Sequence, residues 1–199
     1  MFLLEVICKE QFKDSAMPNT QLHPLIGVVM GSASDWTIMH YAVEILHNFN
    51  VQVETRIVSA HRMPDQMFAY AHSAVERRLA AIIAGAGGAA HLPGMLAAKT
   101  TVPILGVPIP GPYLQGVDAL HSIVQMPKGI PVATFAIGET GAANAALFAI
   151  AMLSRTIPSL ARQLDAFRQQ QSEMASTMTL PPISECVAPS ASIFPSSNA

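Results

Sequence analysis

Five short apolar runs, at residues 25–30, 51–58, 80–84, 102–107 and 132–137, are separated by stretches with helical periodicity, and this alternation constrains the fold more than any other feature. Strands joined by helical crossovers lie side by side in one parallel sheet, with helices covering its faces. The order predicts a three-layer α/β domain of about five strands, flavodoxin-like or Rossmann-like, over residues 24–174. Trp36, Met39, Val43 and Leu46, at spacings of three and four, mark the apolar stripe of a helix after the first strand; Ala42, Ile45 and Phe49 widen it. Pro64 and Asp65 suit the first turn of a second helix, running through Met67, Tyr70, Ala71, Ala74 and Val75.

Residues 141–153 are small or apolar nearly all round, with Asn144 the only polar side chain, so this segment is expected to be buried between subunits. Pro158 opens an amphipathic C-terminal helix, with Leu160, Leu164 and Phe167 on one side and Arg162, Asp165 and Arg168 on another. That helix is expected to pack on neighbouring subunits or on the domain edge. Composition points the same way: 51% hydrophobic against 12% charged residues leaves few side chains to solvate a monomer. No apolar run reaches membrane-spanning length uninterrupted, which leaves oligomerisation as the expected outlet.

A net charge of -2 with no Lys/Arg cluster argues against a nucleic-acid partner and for a small ligand. Cys8 and Cys186 have no metal-site or disulfide spacing, which fits a reducing cytoplasm. Residues 1–23 read as an N-terminal extension without a signal peptide, and residues 175–199 as a Ser/Pro-rich tail expected to be disordered.

In an open parallel sheet, ligands bind beyond the carboxyl ends of the strands. After the first strand comes Gly31-Ser32-Ala33-Ser34-Asp35-Trp36, where hydroxyls and backbone N–H groups gather at a helix N-terminus and suit a phosphomonoester. Ser34 or Asp35 acting only as a helix cap is the simpler alternative. After the second strand comes Ser59-Ala60-His61-Arg62: Arg62 suits phosphate, and His61 suits proton transfer near neutrality. A surface ion pair for Arg62 and an inert loop position for His61 are the alternatives. After the third lies a glycine-rich stretch, residues 85–95, with Gly87, Gly88 and His91, in which backbone can approach a ligand closely or merely pack tightly. Residues 108–116, rich in Pro and Gly, follow the fourth. No His-Glu-x-x-His, carboxylate cluster or nucleophile elbow is present, so acid/base chemistry without metal or organic cofactor is expected.

These motifs, together with Gly116-Val117-Asp118-Ala119-Leu120, residues 122–127 and residues 141–147, resemble the catalytic-subunit family of phosphoribosylaminoimidazole carboxylase, and within it the bacterial-type N5-carboxyaminoimidazole ribonucleotide mutases. The likeness runs from about residue 26 to about residue 168. It implies transfer of a carboxylate from nitrogen to ring carbon in purine (IMP) biosynthesis, by decarboxylation and recarboxylation. It places the general acid/base on His61, with Ser32, Asp35 and Arg62 binding the ribonucleotide substrate and Ser34 adding a phosphate contact. Ser59, Gly87, Gly88 and His91 complete the expected site. The resemblance also implies a cytoplasmic homo-octamer, fed by an ATP-dependent N5-carboxyaminoimidazole ribonucleotide synthetase. Met63 departs from the Thr usual after the Arg. Arg rather than Lys at position 62 favours the mutase over the branch that carboxylates aminoimidazole ribonucleotide directly with CO2.

Overall fold

The computed structural model describes residues 25–180 and 182; the expected extension at 1–23, Cys8, Cys186 and nearly all of the tail beyond 180 lie outside the described residues. The elements run β1 (Leu25–Met30), a 3-10 turn (Ala33–Asp35), α1 (Trp36–Asn48), β2 (Gln52–Ile57), α2 (Pro64–His72), β3 (Leu79–Gly87), α3 (Leu92–Ala97), β4 (Ile104–Ile109), α4 (Val117–Val124), β5 (Ala133–Thr134), α5 (Glu139–Ser154) and α6 (Pro158–Ser176). All strands pair in parallel, in the order β2-β1-β3-β4-β5. The chain moves outward from β1 to β2, then crosses to the other side for β3. Strand order therefore switches between β1 and β3, and the loops after them diverge to open a crevice.

Two apolar layers sandwich the sheet. Ile26, Val28, Ile83, Leu105 and Val107 point to the layer holding Met39 and Leu46 of α1, Ala145 and Ala149 of α5, and Leu164 of α6. Val29, Ile82 and Ile104 point the other way, toward Met67 and Tyr70 of α2, Leu96 of α3 and Ile123 of α4. Successive side chains of a strand alternate faces, and here both faces are covered. That is why β1 and β4 are apolar throughout instead of alternating with polar residues.

α5 packs along α1 through its small residues Ala142, Ala145, Ala146 and Ala149, all buried within the single chain, while Asn144 and Phe148 lie on its exposed side. Leu160 and Leu164 seat the first half of α6 on the same layer, where Phe167 meets Phe49 edge-on with centroids 5.9 Å apart. Beyond Phe167 the helix is exposed in the isolated chain. Among the described residues no helix is long and apolar enough to cross a membrane.

Three local expectations need correction. α2 stops at His72 and does not continue through Ala74 and Val75. The Tyr70 carbonyl, which the next helical turn would use, accepts instead from Ser73 Oγ at 3.1 Å and Arg77 Nη2 at 3.1 Å, and Arg77 also pairs with Glu54. Trp36, counted in the apolar stripe of α1, is 43% exposed, because the first turn of α1 overhangs the sheet edge beside Arg56 and Ile57. Finally, the glycine-rich stretch does not begin as a loop: Gly85 pairs with Met30 and Val107, and Gly87 with Ile109, as the last residues of β3.

Candidate active site

The loops that follow β1, β2, β3 and β4 enclose one cleft of about 550 Å³ at the carboxyl ends of the strands. Ser32, Asp35, Ser59, His61, Arg62, Gly87, Gly88 and His91 all line it. Ser34 does not; it is exposed, and its hydroxyl lies 2.9 Å from Ser32 Oγ and 3.4 Å from Asp35 Oδ1. A larger hollow of about 1090 Å³, bordered by Pro103, Ile130, Phe148 and Met152, contains none of these residues.

Ser32 and Asp35 form a reciprocal cap where β1 turns toward α1. The Ser32 N–H donates to Asp35 Oδ2 at 3.1 Å, and Ser32 Oγ accepts from the Ser34 N–H at 3.4 Å. Capping and lining the cleft thus coexist in the same two side chains. Burial pushes the Asp35 carboxyl above its usual range, although the hydrogen bonds from Ser32, Ser34 and Gly31 and the charge of Arg62 pull it down. A half-buried carboxylate held this way is an acceptor waiting for hydroxyl donors.

Arg62 is held at three points: its Nη2 donates to the Gly31 carbonyl at 3.0 Å, while its Nε and its backbone N–H both donate to Ser59 Oγ at 3.3 Å. Ser59 is buried and acts as the anchor. Among the described residues Arg62 has no carboxylate within salt-bridge distance, so its charge is not spent in a surface ion pair. The guanidinium and the turn at Ser32 are therefore drawn together, as an anion subsite requires.

His61 and His91 meet across the cleft, Nε2 to Nδ1 at 2.8 Å, with ring centroids 4.9 Å apart and the planes nearly perpendicular at 84°. One nitrogen must donate and the other accept, so the facing pair holds a single proton between two rings. His61 comes from the turn after β2, and His91 from the residue preceding α3, whose first turn contains Pro93. The spacing of 30 residues between them carries no motif, so only the fold reveals the pair.

The glycines divide by task. A Cβ on Gly85 would overlap Sδ of the buried Met39, so its smallness serves the seating of α1 on the sheet and not the cleft. A Cβ on Gly87 would sit 3.2 Å from the Ile109 carbonyl oxygen. Gly88 has φ +60 and nothing within 4 Å of a Cβ position, so it and Gly111, likewise open on the cleft wall, leave space to a ligand. Met63 occupies the position before Pro64 at the start of α2 and offers no side-chain cap, which a Thr there would supply.

Among the described residues no group of three or more His, Cys, Asp or Glu side chains is placed to hold a metal ion. Ala60, Leu92, Pro110, Tyr113 and Asp118 also line the cleft; all lie in segments that the sequence marked as strand-end loops or motifs, but none was expected to be a site residue. For Asp118 two signals were available: its place in the first turn of the helix after β4 and its place in the Gly116-Val117-Asp118-Ala119-Leu120 motif.

A family model described as AIR carboxylase matches residues 25–174. The chain is 57% identical over 148 residues to N5-carboxyaminoimidazole ribonucleotide mutase of Bacillus subtilis (strain 168), covering 74% of this chain and 91% of that protein. It is 55% identical over 148 residues to the mutase of Escherichia coli (strain K12), covering 74% and 88%. Among solved structures, Treponema denticola PurE superposes with a TM-score of 0.68 at 24% identity, covering 76% of this chain and 94% of that one, a likeness of fold. With the model spanning the whole sheet and its strand-end loops, and relatives above half identity along most of their length, the chain belongs to the AIR carboxylase family.

Proposed function

We propose that this protein is an N5-carboxyaminoimidazole ribonucleotide mutase of purine biosynthesis, an isomerase that converts its substrate to 4-carboxy-5-aminoimidazole ribonucleotide. The observation that carries the assignment is the joining, in one cleft, of an anion-binding end at Arg62 and Ser32 to an imidazole pair at His61 and His91. Phosphate at the first end leaves the aminoimidazole beside the second. Protonated His61 gives its proton to the substrate nitrogen as the N–C bond to the carboxyl group breaks, releasing CO2 and the free amine. The ring carbon then attacks CO2, and the now neutral His61 takes the ring proton, so the proton count closes on one imidazole. His91, bonded to His61, orients the ring that moves the proton. Gly88 leaves room for the planar ring, and Leu92 and Ile109 keep water from the released CO2.

The N-carboxylated substrate is a labile carbamate, so an ATP-dependent synthetase is its natural supplier, in the same cytoplasmic compartment. The charge-poor composition and the exposed apolar side chains Ile57, Val124 and Phe148 support a homo-oligomer, an octamer by family resemblance. The test is His61→Asn in a mutase assay on purified protein. Turnover is expected to vanish while ribonucleotide binding stays measurable; unchanged turnover would refute the assignment of His61. Wild-type turnover of the N-carboxylated substrate without added bicarbonate separates the mutase from direct carboxylation by CO2.

A further inference from the structure

Asp118 is the second residue of α4, on the loop that follows β4. It lines the cleft, and its Oδ1 is shielded from water with no hydrogen-bond partner among the described residues. Leu92, Ile109 and Pro110, which line the same cleft, have no side-chain N–H or O–H to offer it. An acid in the first turn of a helix is commonplace and favoured by the helix dipole, but such a residue needs only solvent. Asp118 has one oxygen cut off from solvent and from donors alike, a costly arrangement unless a donor arrives.

Which donor follows from charge and position. An ionised carboxylate only accepts, so its partner must be an N–H or O–H, and the phosphate is excluded. Arg62 follows β2 and Asp118 follows β4, with β1 and β3 between them in the sheet. On the mutase reading, a ribonucleotide with its phosphate at Arg62 extends along the cleft away from β2, so its base lies toward the wall that carries Asp118. On that base the group with hydrogens to give is the exocyclic amine.

We infer that Asp118 is a substrate-binding residue whose carboxylate accepts a hydrogen bond from the exocyclic amine of the aminoimidazole ring. Gly116, at φ +90, turns the chain into α4, and a Cβ there would overlap Ile137 and crowd Pro110, so the loop presents Asp118 from one backbone geometry. A carboxylate drawing on the amine N–H pushes electron density into the ring and raises the nucleophilicity of the carbon that attacks CO2. Asp118 thereby selects amine-bearing ligands and assists recarboxylation.

The inference rests on the mutase assignment and is tested with the full chain as Asp118→Asn and Asp118→Ala. Wild-type turnover comes first: its absence sinks the mutase assignment, whereas binding of aminoimidazole ribonucleotide still reads Asp118. Loss of one charge-assisted hydrogen bond is expected to lower kcat/KM about tenfold to a hundredfold in Asp118→Ala, with a smaller loss in Asp118→Asn, whose amide oxygen still accepts. The decisive readout is the ratio of affinities for aminoimidazole ribonucleotide and for imidazole ribonucleotide, which lacks the amine; it should fall toward unity in Asp118→Ala. Equal weakening of both ligands, an unchanged kcat/KM, or a change confined to oligomeric state would overturn the inference. Should the Ala variant fail to fold, the near-isosteric Asn variant carries the same comparison.

Discussion

Gly85 lies within the glycine-rich stretch beside the cleft, yet its geometry makes it a packing residue, and Gly85→Ala tests that directly. The added Cβ would overlap Sδ and Cγ of Met39, a fully buried side chain that α1 lowers onto β3. Overpacking of this kind costs roughly 1–3 kcal/mol, offset by up to about 1 kcal/mol because Ala loses less backbone entropy than Gly. The net is about 1–2 kcal/mol, or roughly 3–6 °C in thermal midpoint for a domain of this size. Met39→Ala alone should cost about 2–5 kcal/mol as a cavity. In the double variant the new methyl enters that cavity and the clash is gone, so the combined loss should fall short of the sum by about 1–2 kcal/mol. Thermal and denaturant unfolding at fixed protein concentration measure the cycle, with kcat/KM recorded alongside. Additive losses, or an activity defect in Gly85→Ala that Met39→Ala does not relieve, would refute the packing role and return Gly85 to the cleft.

Met63→Thr should stabilise the protein by about 0.5–1 kcal/mol, since Thr caps α2 where Met makes no cap bond, with kcat/KM unchanged; a lowered thermal midpoint contradicts this. Asp35→Asn should separate stability from function. The Asp35 pKa is raised by burial, so its contribution to stability is present below the unfolded value near 3.8 and is lost as pH rises through the higher folded value. The Asn variant escapes that loss: it should be more stable relative to wild type at pH 7 than at pH 3.5, while binding ribonucleotide more weakly. A relative stability that falls between pH 3.5 and pH 7 would reverse the sign and refute the burial argument.

The parallel α/β architecture was legible because apolar runs alternate with helical periodicity, and the burial of both sheet faces is written into the apolar strands β1 and β4, although the edge strand β2 carries Gln52, Glu54, Thr55 and Arg56. Boundaries were less so. β3 continues through Gly85 and Gly87 although glycine favours turns, because pairing with β1 and β4 outweighs local preference. α2 ends early because Arg77 and Ser73 capture the Tyr70 carbonyl, a contact between residues whose side chains mark no helix stop.

At the site, Ser32, Asp35, His61 and Arg62 were identifiable from residue type and from their place at strand ends. Short-range chemistry determines such things: a capping turn and a His-Arg dipeptide look alike in sequence and in structure. Three features belonged to the tertiary structure alone. His91 joins His61 across 30 residues, Gly85 and Gly88 take opposite tasks within four residues, and Asp118 is left with an unanswered oxygen. Each depends on what a distant segment places within about 4 Å, and hydrogen bonding and steric overlap decay over that distance. Residue type and strand-end position mark which loops can carry chemistry; the packing of those loops around one crevice sets which groups face one another there.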